Sequence, residues 1–122
     1  MSQQNDSGIK AFTAGAALAA HTLVNLSSGV LAACGLTEQP IGVLLEASFA
    51  SGDIRPVKLM SAPGTIRVKT ENAVAAMAVV YGRAAGVVDD SSAGSALKIG
   101  IALEAATAAG DVIEVMPWLG HI

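Results

Sequence analysis

The chain states nearly the same pattern twice. Ile41-Gly42-Val43-Leu44-Leu45-Glu46-Ala47, followed by Ala50-Ser51-Gly52-Asp53-Ile54, returns as Ile99-Gly100-Ile101-Ala102-Leu103-Glu104-Ala105, followed by Ala108-Ala109-Gly110-Asp111-Val112. Over Ile41 to Val57 against Ile99 to Val115, about nine of seventeen positions are identical, the signature of an internal repeat. Upstream, Thr22-Leu23-Val24 and Gly29-Val30 stand opposite Val79-Val80-Tyr81 and Gly86-Val87. Such a chain folds as two half-domains related by duplication, and its function belongs to the assembled unit.

The short apolar pieces of the repeat are punctuated every eight to twelve residues or so by Gly, Ser, Asn, Asp and Pro, the spacing of an all-β sandwich or barrel. The strand candidates are Leu23 to Leu26, Val30 to Cys34, Ile41 to Glu46, Ile54 to Met60, Thr65 to Thr70, Val79 to Gly82, Gly86 to Asp89, Lys98 to Glu104 and Val112 to Met116. Ile66 and Val68 alternate with Arg67 and Lys69, which gives that strand one dry and one wet face. Ala-rich stretches at Ala14 to Ala20, Ala73 to Ala78 and Ala102 to Ala109 favour helix intrinsically and point to short helical turns. The fold class is therefore mainly β, a small barrel or sandwich built from an internal duplication, with Ala-rich helical turns and a flexible N-terminal arm. Residues 1–10 form the arm, and 11–122 form one β domain. Its half-repeats run over about 14–59 and 73–117, joined by strand 65–70, and are expected to pair with each other to close the barrel. Pro56, inside its strand, marks an edge or a bulge.

Half of the residues are hydrophobic but only 3% are aromatic, so the core is made of Ala, Val, Leu and Ile. With 14% charged residues and a mean hydropathy of +0.57, a monomer exposes apolar surface, which favours a partner or a homo-oligomer. The net charge of −3 and the lack of any Lys/Arg cluster disfavour nucleic acid, whose binding needs a basic footprint. Ala11 to Val24 lacks both a preceding positive charge and the length of a membrane span, so neither a targeting segment nor a membrane partner is expected.

Catalytic patterns are missing. His21 and His121 lie at opposite ends of the chain, and the single Cys34 offers no zinc spacing and no internal disulfide. Phosphate-binding, nucleophile-elbow and metalloprotease motifs do not occur. Glu46 with Asp53 and Glu104 with Asp111 are two equivalent acid pairs. Each Asp follows Gly at a turn, however, which favours turn formation over an acid dyad. Neither Lys58-Leu59-Met60 nor Arg67-Val68-Lys69 has the hairpin setting of a biotinyl or lipoyl lysine. No enzyme, cofactor or metal site is expected.

The order of these pieces resembles a known family. Ala19-Ala20-His21-Thr22-Leu23-Val24, the Ser28-Gly29 turn, Ile41-Gly42-Val43 and Gly52-Asp53 are followed by Gly86, Ile99-Gly100-Ile101-Ala102-Leu103 and Gly110-Asp111-Val112-Ile113-Glu114-Val115. From about Ile9 to Met116 this is similar to the capsid cement, or decoration, proteins of tailed bacteriophages. One departure is Ala20-His21, where the family tends to have a Gly turn. The resemblance implies a non-catalytic structural virion protein, made in the host cytoplasm. It would bind the major capsid protein on the outer face of the mature capsid and stabilise it, commonly as a homotrimer. The arm's root (Ile9, Lys10, Phe12) and the C-terminus (Trp118, Leu119, Ile122) are the expected subunit or capsid contacts. The rival reading is a carbohydrate- or receptor-binding module of the phage surface, for which exposed aromatics are few.

Overall fold

A computed structural model describes residues 8–117. Ten strands form two five-stranded antiparallel sheets. The first contains β1 (Ile9–Thr13), β2 (Leu23–Ser27), β3 (Val30–Ala33), β4 (Gly42–Leu44) and β5 (Ile54–Leu59). The second contains β6 (Ile66–Lys69), β7 (Val79–Gly82), β8 (Val88–Asp89), β9 (Lys98–Ala102) and β10 (Val112–Pro117). Their strand orders are β1-β5-β4-β2-β3 and β6-β10-β9-β7-β8, so the second repeats the first with every label raised by five. The duplication is thus topological as well as textual.

Each sheet curls toward closure on itself. Parallel bridges Ala14↔Leu31 and Thr70↔Val88 tie the end of the first strand in each sheet to the last. The mainly β fold class stands, but ladder pairing runs within each half and not across the halves as expected. The edges are satisfied locally, and the halves meet by packing a sheet face onto an open side. Strand β6 holds in the second sheet the place of β1 in the first, pairing with β10 as β1 pairs with β5, so it belongs to the repeat unit itself. Ile9 and Lys10, read as arm from sequence, begin β1 opposite Lys58 and Val57.

The registers also refine the repeat. Leu23 faces Val43 and Val79 faces Ile101, so Leu23 corresponds to Val79, one residue earlier than the sequence match suggests. The shift arises between the second and third strands of each sheet. Ser28 and Gly29 both have positive φ, as a two-residue type I′ hairpin requires. The second copy instead uses a short 3-10 turn, Ala84–Gly86. That turn is Ala-rich, but the three Ala-rich stretches named above run as bends and turns around isolated bridges and contain no helix. Leu18 pairs Ser48 and Val74 pairs Ala106, and Ser48 Oγ accepts from Leu18 N at 2.9 Å while donating to Ala16 O at 2.8 Å. Tertiary pairing outweighs the few tenths of a kcal/mol per residue that favour Ala in a helix.

Matched residues fill matched cores. Val24, Leu31, Leu44 and Val57 line the first half, and Val80, Val88, Ala102 and Val115 take the same places in the second, all fully buried. The second set is smaller, with Ala102 for Leu44. The shortfall is met by the first half: Leu23, Cys34 and Val43 join the cluster of Ile66, Val68, Val80 and Ile113. Each buried aliphatic side chain contributes about 1.5–3 kcal/mol, so this shared core is the main bond between the halves. Lys69 N donating to His21 O at 3.0 Å and Gly86 N to Cys34 O at 2.9 Å align the joint.

Pro56 lies on an inner strand, between β1 and β4, at a break in the ladder. β4 ends at Leu44, and in the second copy the equivalent Glu114 N–H turns to the Glu104 carboxylate at 2.9 Å instead of a ladder carbonyl. Proline, which lacks that donor, fits where no ladder acceptor faces it.

Candidate functional site

The repeated acids are structural. Asp53 Oδ2 accepts from the backbone N–H groups of Phe49 at 2.8 Å and Ala50 at 3.2 Å. Asp111 Oδ2 accepts from those of Thr107 at 2.9 Å and Ala108 at 3.2 Å, and from the Thr107 hydroxyl at 3.2 Å. These bonds stabilise the ionised form and hold both carboxyls below the usual 3.8, with Arg55 assisting at Asp53. Each Asp closes its own turn, and the geometry is that of a turn former. Both carboxyls bind a proton less readily folded than unfolded. Their contribution is therefore present above pH 3.8 and is lost as pH falls through the lowered folded values. The double variant Asp53→Asn/Asp111→Asn should have a lower melting temperature at neutral pH and a smaller loss of stability on acidification than wild type. An unchanged acid sensitivity in thermal melts would contradict this assignment.

Cys34, Lys58 and Glu104 also bond to local structure. Cys34 is buried, its thiol donates to Glu38 O at 3.1 Å, and burial with the nearby Glu38 charge pushes its pKa up to about 11. A thiol so protonated is a poor nucleophile. Lys58 lies on β5 with Nζ donating to Thr65 O at 2.6 Å, unlike a carrier lysine at a hairpin tip. Glu46 is exposed, while its repeat partner Glu104 caps the Glu114 N–H. Among the described residues no three His, Cys, Asp or Glu side chains gather to hold a metal ion. His121 lies outside them.

A crevice of about 160 Å³ runs along the joint between the halves. His21, Val43, Leu45 and Lys58 line it from the first half, and Thr65, Ile66 and Arg67 from the second. His21 holds a left-handed backbone with φ of 66°, and Met77 repeats it at 68°, which accounts for the expectation of glycine at this turn. The Lys58 and Thr65 side chains that share the crevice lining with His21 are held by structural bonds, Lys58 Nζ to Thr65 O and the Thr65 hydroxyl donating to Glu114 Oε2 at 2.6 Å.

The surface offers contact groups instead. Ile9 and Lys10 are exposed on β1, with Lys10 Nζ 5.5 Å from the centre of the Phe12 ring. Phe12 itself is half-buried and packs against the first core. Trp118, Leu119 and Ile122 lie outside the described residues. Sequence reasoning passed over Phe49, which is 79% exposed at the tip of its turn, where the Asp53 carboxylate fixes its backbone and Arg55 lies 5.9 Å from its ring centre. The available signal was its asymmetry, since the other copy has Thr107 there. Met77, Leu103 and Met116 are likewise exposed apolar groups of the second half.

This architecture has a solved counterpart. The head fiber gp8.5 N base of bacteriophage phi29 superposes with a TM-score of 0.66 over 90% of this chain and 94% of that one, at 16% identity, a likeness of fold. Among curated protein sequences none matches the chain. The family model of phage cement proteins matches residues 2–117. With a duplicated all-β body, turn-forming acids where a catalytic dyad was conceivable, and this match along nearly its whole length, the chain belongs to the phage cement protein family.

Proposed function

We propose that the protein binds the outer surface of the mature capsid through the major capsid protein and stabilises the shell, as a homotrimer and without catalysis. Membership of the cement family carries this reading and makes the chain a structural component of the virion exterior. The surface suits the role. Exposed apolar groups stand on a body with few charges, and the exposed Phe49 beside Arg55 is the kind of aromatic and arginine pair that dominates interface energies. Ile9, Lys10 and Phe12 on β1, with Trp118, Leu119 and Ile122, are the proposed subunit or capsid contacts.

Cosedimentation of the purified protein with expanded, undecorated capsids tests the reading. The expected result is saturation at a fixed number of copies per shell, with greater resistance of the shell to heat. Trp118→Ala and Phe49→Ala should each weaken binding by about tenfold or more, the loss of one aromatic anchor. Absence of saturable binding by the wild-type protein would overturn it.

A further inference from the structure

The two halves are built alike but are not covered alike. In the first, Leu23 of β2 and Val43 of β4 point outward from their own core and are each 1% exposed, because the open side of the second half lies on them. The registers place Val79 and Ile101 at the same positions of the second sheet, and both are partly exposed. Around them Met116 stands where the first half has Lys58, Leu103 where it has Leu45, and Met77 where it has His21. These three are 46%, 39% and 71% exposed. Two methionines thus replace the lysine and the histidine, so the open face is more apolar than the face the molecule covers for itself. Contiguous apolar surface of this kind marks an interaction site.

We infer that this face receives a second copy of the chain, which applies its first half there as the second half is applied to the first within one molecule. The strand that would meet the face is β1. Within the chain, β6 lays Thr65, Ile66 and Arg67 along the crevice, and the registers Lys10↔Val57 and Val115↔Ile66 make Ile9, Lys10 and Ala11 their counterparts. All three are exposed. Charge fits as well: Glu104 follows Leu103 and Glu114 lies two residues before Met116 on the receiving side, both exposed, and Lys10 is the cation that β1 presents. Each acid accepts one bond, Glu104 from Glu114 N at 2.9 Å and Glu114 from the Thr65 hydroxyl at 2.6 Å. The contact joins two different surfaces, so it is head-to-tail and gives a ring where the rotation closes. The inference deepens the self-assembly part of the function proposed above and rests on it, independently of capsid binding.

Sedimentation velocity of the full chain between about 1 and 100 µM, the range in which a specific contact of ordinary strength is populated, tests it. Wild type should be oligomeric, and Met116→Lys, which installs the first half's residue at an exposed position, should weaken association by about tenfold or more. Lys10→Glu should do the same, and adding Glu114→Lys to it should restore association, with thermal melts confirming that each variant is folded. A monomeric wild type, or association unchanged in folded Met116→Lys, overturns the inference. If wild type is monomeric in solution and Met116→Lys abolishes capsid binding, the face belongs to the capsid and only this inference fails. If Met116→Lys dissociates an oligomer that does not bind capsids, the inference stands and the cement reading fails.

Discussion

Alanine at Gly42 or Gly100 should destabilise the fold by about 3 kcal/mol or more, lowering the melting temperature by on the order of 10 °C. A Cβ at Gly42 would land on the carbonyl oxygen of Lys58, and one at Gly100 on that of Met116. Both obstacles are backbone atoms of the neighbouring strand and cannot rotate away. Relief requires prising β4 from β5, or β9 from β10, beside the fully buried Val57 and Val115. Gly52→Ala and Gly110→Ala supply the control. Their φ values of 98° and 87° also disfavour a side chain, yet nothing lies within 4 Å of the added Cβ, so each should cost about 1 kcal/mol. Gly42 and Gly100 have no left-handed φ, so losses there no larger than at Gly52 and Gly110 would show that the strands give way to the added methyl and that close approach is not what the repeated Ile-Gly serves.

Gly86→Ala should act on the joint between the halves. Gly86 has φ of 74°, and its Cβ would meet the Thr22 methyl and the Leu23 carbonyl of the first half. Its N–H holds Cys34 O, and Cys34 lies in the shared core with Leu23 and Val43. Left-handed strain of about 1 kcal/mol combines with a contact that only separation of the halves relieves, for a total of several kcal/mol. The buried thiol gives a local readout. In wild type Cys34 should resist alkylation under native conditions, and in the variant it should react faster than global unfolding alone allows. A wild-type melting temperature with an unreactive Cys34 would show that the joint tolerates the added methyl.

Much of the first expectation was readable from sequence, because Ile-Gly occurs at both copies and glycine within a strand marks a close backbone approach. The repeated Gly-Asp was readable too: a short acid after glycine closes a turn by local bonds that need no distant partner. Nine of the ten strands coincide with candidates drawn from alternation and punctuation. β1 escaped because Ile9-Lys10-Ala11-Phe12-Thr13 puts Lys10 and Phe12 on one side and shows no dry face. Only its pairing with β5, mirrored by β6 with β10, identifies it. The candidate surface was less legible. Phe49, Met77 and Met116 are ordinary apolar residues in the sequence, and their exposure depends on which sheet face the other half covers.

By itself the sequence determined the duplication, the β class and the turns, since each rests on residues within a few positions of one another or on a pattern repeated outright. The three-dimensional structure decided that each half closes on itself, that the Ala-rich stretches form bridged bends and turns and not helix, and which copy of an outward face is buried. Those outcomes depend on competition among strand edges and apolar faces far apart in the chain. The decisive term there is the area that two surfaces remove from water together, which no single segment encodes.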